Sequence, residues 1–137
     1  MKRFEVKKHI TQMSMHEIQI IKTKLDNSYK EKKKICFAKH CSDRWKEKVR
    51  HDADFKFLLI KTLHEHEVIE YKNVYFSKDN IEERVVLRSK QPYYGKNVCL
   101  VYSITNKVVI TVWLNDATDN HKTLRLSEYN ANMEIKQ

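Results

Sequence analysis

His40, Arg44 and Lys48 recur every four residues in the stretch ICFAKHCSDRWKEK, residues 35–48, with Trp45 beside the arginine. On a helix, positions i, i+4 and i+8 form one slowly drifting stripe, so these side chains leave successive turns on one face. A histidine among fixed cations suits work on a phosphodiester. Metal-free RNA cleavage needs one group to take the proton of the ribose 2′-hydroxyl and one to protonate the leaving 5′-oxygen. It also needs cations for the charge on the phosphorane. The same spacing describes the solvated face of a basic helix, and spacing alone does not separate the two readings.

Two later segments carry further candidates. Glu83-Arg84-Val85-Val86-Leu87-Arg88 reads as a strand with Arg84 and Arg88 on one face, and Val108 to Leu114 as another that holds Thr111 and Trp113. Each has an ordinary alternative: a salt-bridge partner for nearby glutamates, a plain strand residue, a core tryptophan. His64-Glu65-His66-Glu67 hints at a metal, but its histidines point to different sides of a helix and no third spaced ligand follows. No metal or other cofactor is therefore expected. Cys41 adjoins His40, yet neighbouring helix residues diverge by about 100°, which argues against a Cys–His pair. One glycine in the whole chain cannot build a Gly-rich phosphate loop. His121, after the last strand, reads as a loop residue, with a second site histidine as the alternative.

The elements that must position these residues follow from periodicity. MKRFEVKKHI alternates charge and hydrophobe like a strand. Ser14-Met15-His16-Glu17 has the form of a capping box. Ile18, Ile21, Leu25 and Tyr29 then continue at helical spacing into Lys30-Glu31-Lys32-Lys33-Lys34, whose cations suit the negative end of a helix dipole. Ile35-Cys36-Phe37 is short and extended, residues 40–50 read as a helix, and a third helix is expected from about Asp52 to His66 on Phe55, Leu58, Leu59 and Leu63. From Val68 onward β-branched and aromatic runs dominate: 68–71, 74–76, 83–88, 98–104 and 108–114. Gln91-Pro92-Tyr93-Tyr94-Gly95 marks a loop.

A two-residue turn at Thr105-Asn106 would set Tyr102 opposite Val109, Leu100 opposite Thr111 and Val98 opposite Trp113. Tyr102, Thr111 and Trp113 would then share a face with Arg84 and Arg88. Cys99, Val101, Ile110, Val112 and Leu114 would pack on the helices. The expected sheet has a helix-covered side and a basic, aromatic, open side. Helices first and an antiparallel sheet afterwards is the α+β pattern, here a single domain over 1–137 with a helical part at about 14–66 and a sheet part at about 67–127.

Composition bounds the function classes. The chain has 137 residues, 33% of them charged, and a net charge of +9, which favours a polyanion partner because displaced counterions drive phosphate binding. Plentiful lysine, isoleucine, asparagine and tyrosine would also follow from an AT-rich genome. No apolar run is long enough to cross a bilayer and no charged-then-apolar leader opens the chain, so a cytoplasmic protein with no membrane partner is expected. Cys36, Cys41 and Cys99 form no CxxC pair and read as reduced thiols.

His40-xxx-Arg44-xxx-Lys48, the arginine-bearing strand 83–88 and the strand ending Val109-Ile110-Thr111-Val112-Trp113 together resemble small domains of the barnase/EndoU/colicin/RelE ribonuclease fold, in particular their DUF4258-like branch. The resemblance spans about residues 35–115, and it departs from the pattern at Lys48, where arginine is usual, and at Val49-Arg50, where glycine commonly follows. It implies a RelE- or barnase-like α+β fold with helices on one face of an antiparallel sheet. It further implies a small metal-independent, toxin-like endoribonuclease leaving 2′,3′-cyclic phosphate ends, in a bacterial or phage-infected cell. By resemblance, His40 is the general base or acid, Arg44 and Arg88 clamp the scissile phosphate, and Thr111 bonds it. Lys48, Arg84, Tyr102 and Trp113 would bind RNA on the open face, Trp113 by stacking a base. An acidic antitoxin is the implied protein partner. The alternative function is a non-catalytic phage or mobile-element protein that binds and modulates a host protein or nucleic acid.

Overall fold

The computed structural model describes residues 2–48, 55–92, 95–116 and 126–137. Strand β1 (Phe4–His9) leads through a 3-10 turn, Ile10–Gln12, into helix α1 (Met15–Lys30). Ser14 caps that helix: its hydroxyl accepts from the Glu17 amide at 3.1 Å while the Glu17 carboxylate accepts from the Ser14 amide at 3.0 Å. A short strand β2 (Cys36–Phe37), helix α2 (Lys39–Lys48) and helix α3 (Phe55–His64) follow. Four long strands follow, β3 (His66–Ser77), β4 (Asn80–Ser89), β5 (Lys96–Ser103) and β6 (Val108–Asp116), and a 3-10 turn, Leu126–Glu128, lies near the C-terminal end.

All six strands form one sheet in the order β1-β3-β4-β5-β6-β2. Every pairing is antiparallel except β2 on β6, which is parallel. The architecture is thus α+β, with the expected antiparallel sheet extended by one short parallel edge strand. The third helix stops at His64, short of the expected His66, because His66 already pairs with Ser89 as the first residue of β3. The two short runs 68–71 and 74–76 are one strand, with an irregularity between Val68 and Glu70 that shifts the side-chain alternation.

One face of the sheet carries the helices. Ile21 and Leu25 of α1, Trp45 of α2 and Leu59 and Leu63 of α3 are buried against Val85, Leu87, Leu100, Val109 and neighbouring side chains in one core cluster. Tyr102 belongs to this cluster and is fully buried. That corrects the expected hairpin, which placed Tyr102 on the opposite, open face among the RNA-binding residues. Tyr102 does pair with Val109, but a bulge follows, so Leu100 pairs with Val112 and Val98 with Leu114. Because side chains alternate with period two, this one-residue slip turns β5 over relative to β6. Val98, Leu100 and Tyr102 face the helices, and Cys99 and Val101 face away. The connection also spans 104–107 instead of two residues, with Lys107 at positive φ (55°).

No helix among the described residues is long and apolar enough to cross a membrane. Residues 49–54 and His121 lie outside the described residues, as do the side chains of Arg44, Lys48 and Phe55.

Candidate functional site

Helix α2 starts where β2 ends, and two backbone bonds set its position. Cys36 donates to the Lys107 carbonyl at 2.9 Å and Ala38 to the Val109 carbonyl at 3.0 Å. The chain then turns at once into α2, whose Cys41 and Trp45 point into the core while the helix packs against β6. His40 lies two residues past Ala38, and Thr111 two residues past Val109. The junction therefore starts α2 next to β6 on the helix-covered side, whereas the Thr111 side chain faces away from the helices. His40 is exposed, next to the inward stripe of Cys41 and Trp45, and the backbone positions of Arg44 and Lys48 follow it at successive turns.

Thr111 and Trp113 face away from the helices and are half-buried. Arg88, Cys99 and Trp113 form one cross-strand row through the pairs Arg88–Cys99 and Cys99–Trp113. With about 4.8 Å between strands, Arg88 sits roughly 10 Å from Trp113 on the same face. Four of the expected residues, Arg84, Arg88, Thr111 and Trp113, are thus gathered on one side of β4–β6, and α2 leaves from the adjoining β2 edge. Tyr102 is excluded from that group.

The face itself is neither open nor uniformly basic. Val74 and Cys99 are fully buried there, and Arg88 is only 8% exposed, with its guanidinium donating to Asn97 Oδ1 at 3.0 Å. Acids alternate with the cations. Arg84 grips Glu82 through two bonds, Nε to Oε1 at 3.0 Å and a terminal nitrogen to Oε2 at 3.2 Å. Lys72 lies 3.6 Å from Glu70 and 3.8 Å from Glu5, and the Tyr129 hydroxyl donates to Glu70 at 2.6 Å. Burial would raise the Glu82 carboxyl, but Arg84, Ser103 and Asn106 overcome it and hold the acid below its ordinary range. The salt-bridge alternative for Arg84 is the arrangement observed, and it leaves Arg84 poorly disposed to take RNA phosphate.

A basic surface lies instead between the end of α1 and α3. Tyr29, Lys32, Lys33, Lys61 and His64 line a groove of about 440 Å³. The Tyr29 and His64 rings stack with centroids 4.5 Å apart and 20° between planes, and Lys32 Nζ lies 4.6 Å over the Tyr29 ring. Lysines around an aromatic platform are the elements of single-strand nucleic-acid contact. The sequence reading took Lys30 to Lys34 as a solvated helix end and His64 as half of a weak metal motif. The missed signal was Tyr29, the last residue of the α1 stripe, set among those lysines.

Among the described residues, no group of three or more His, Cys, Asp or Glu side chains is placed to hold a metal ion. Cys41 is buried, which pushes its thiol up to about 11, so it is no ready nucleophile beside His40. No family model matches the chain, and no curated protein or solved structure matches it either.

Proposed function

We propose that the protein is a small RNA-binding domain acting as a metal-independent endoribonuclease in the cytoplasm of a bacterial or phage-infected cell. The observation that supports this reading is the gathering of Arg88, Thr111 and Trp113 on one face of β4–β6, next to the β2 edge from which α2 and His40 leave. In this reading His40 exchanges the proton of the 2′-hydroxyl or the leaving oxygen, and Arg44 and Arg88 oppose the phosphorane charge. Thr111 bonds the phosphate, and Trp113 stacks a neighbouring base. The Tyr29–His64 groove and its lysines hold a single-stranded part of the same RNA.

A second reading, a non-catalytic binding module, is favoured by one observation: Arg88 is buried and bonded to Asn97, already committed within the sheet. Incubation with RNA in EDTA separates the two. Fragments ending in 2′,3′-cyclic phosphate, lost in His40→Ala by about a hundredfold or more, support the enzyme. Cleavage undiminished in His40→Ala removes His40 from the mechanism. Salt-sensitive RNA binding without cleavage supports the binding module. Absence of RNA binding, with capture of an acidic protein partner, rejects both RNA readings.

A further inference from the structure

Strand β1 ends at His9, where it pairs with Glu70, so β1 leaves the first residues of β3 uncovered on that side. The 3-10 turn that follows β1 packs beside β3, and a cavity of about 360 Å³ opens between this turn, α1 and the ends of β3 and β4. Three cations border it: Lys22 of α1, Arg88 of β4 and Lys90 just past β4. One acid, Glu67, offsets part of their charge. Ile10, Ile18 and Ile69 supply an apolar wall.

His66 also lines the cavity and is 3% exposed; among the described residues neither ring nitrogen makes a well-formed hydrogen bond, although the Leu63 carbonyl lies near the ring. Buried polar groups without partners are uncommon and costly, so a pair of them on a cavity wall calls for an explanation. Lys22 is itself partly buried, and its ammonium is held below the ordinary lysine range first by burial and then by the charge of Lys90, with Asp26 and Glu67 opposing. Two lysines that repel each other at a half-sheltered cavity are stabilised by an anion between them. None of the pairs that neutralise the rest of the sheet is observed for Lys22 or Lys90 among the described residues.

We propose that this cavity is a binding site for a small organic phosphate, its anionic head held by Lys22 and Lys90 and its apolar body laid against Ile10, Ile18 and Ile69. A ring nitrogen of His66 completes the hydrogen bonding of the phosphate head. The volume is at the lower end for ligand pockets and admits a phosphate with one ring. The site is independent of RNA cleavage, although Arg88 borders both.

The test is titration of the full chain with inorganic phosphate and with phenyl phosphate at fixed ionic strength. It is followed by nitrogen and amide chemical shifts at His66, Val68 and Ile69. The expected result is saturable binding of both, with phenyl phosphate tighter by about tenfold from apolar contact. Binding should weaken by at least about tenfold in a Lys22→Gln/Lys90→Gln variant and stay unchanged in Lys136→Gln. Unsaturable shifts, equal weakening in both variants, or no gain from the phenyl ring would each overturn the proposal. Circular dichroism confirms that the double variant is folded, and its RNA cleavage in EDTA distinguishes the two sites. Lost phosphate binding with cleavage retained supports this cavity whatever becomes of the ribonuclease reading. Phosphate binding that is retained refutes it even where RNA is cleaved.

Discussion

At the scale of single residues, burial decides which groups are chemically available. His66 is held down at about 4, by burial first and the Lys22 charge second, and the nearby Leu63 carbonyl offsets only part of this. The ordinary value is 6.5, so between about pH 6.5 and 4 the unfolded chain binds a proton that the folded protein does not. Stability is therefore full above pH 6.5 and falls as pH drops toward 4, by on the order of 3 kcal/mol. Urea unfolding of wild type and His66→Phe across this range should show the slope shrinking in the variant. A slope unchanged by the substitution would assign it to other groups. Thiol chemistry offers a second check. Cys36 is exposed while Cys41 and Cys99 are fully buried, so a thiol reagent should modify one cysteine in the native protein and all three in denaturant.

At the scale of elements, Glu17 ties three parts of the chain together. It completes the capping box of α1, takes Lys8 of β1 at 2.8 and 3.0 Å, and accepts from the Ile135 amide at 3.1 Å. Lys8 donates in turn to the Met133 carbonyl at 3.0 Å. Both side chains are largely buried, at 7% and 13% exposure, so removing one charge strands the other. Glu17→Gln should cost about 2–4 kcal/mol and speed amide exchange at Ile135, at the far end of the chain from the substitution. A change below about 0.5 kcal/mol would mean that the pair behaves like an exposed one. The capping box was legible because its residues are three apart in sequence; the Lys8 and Ile135 contacts were not, because only folding brings them there.

At the scale of the whole molecule, the net charge of +9 is unevenly used. On the face away from the helices, Glu5, Glu70 and Glu82 pair with Lys72 and Arg84, whereas Lys32, Lys33 and Lys61 gather around the Tyr29–His64 groove. If the groove and α2 carry RNA, log Kobs should fall linearly with log salt, with a slope of about −3 to −5 for single-stranded RNA. Lys32→Gln/Lys33→Gln should reduce that slope by about one to two, and Lys72→Gln should leave it unchanged. A slope that responds to Lys72 and not to the groove would return the contact surface to the sheet.

Local chemistry determined much of this protein. The Ser14 cap, the α1 stripe, the α2 stripe of His40, Arg44 and Lys48, and the alternation of Arg84 and Arg88 against Val85 and Leu87 all depend on residues within about four positions of one another. The α+β class followed from their order. Tertiary structure alone decided which face β5 presents, because the bulge opposite Val101 and Tyr102 slips the pairing by one residue and sends Tyr102 into the core. It alone decided that Arg84 meets Glu82 and that β2 and β6 pair in parallel where α2 begins. The cavity of Lys22, His66, Arg88 and Lys90 was equally hidden. These four residues come from segments up to 68 positions apart, and no local pattern records that they meet.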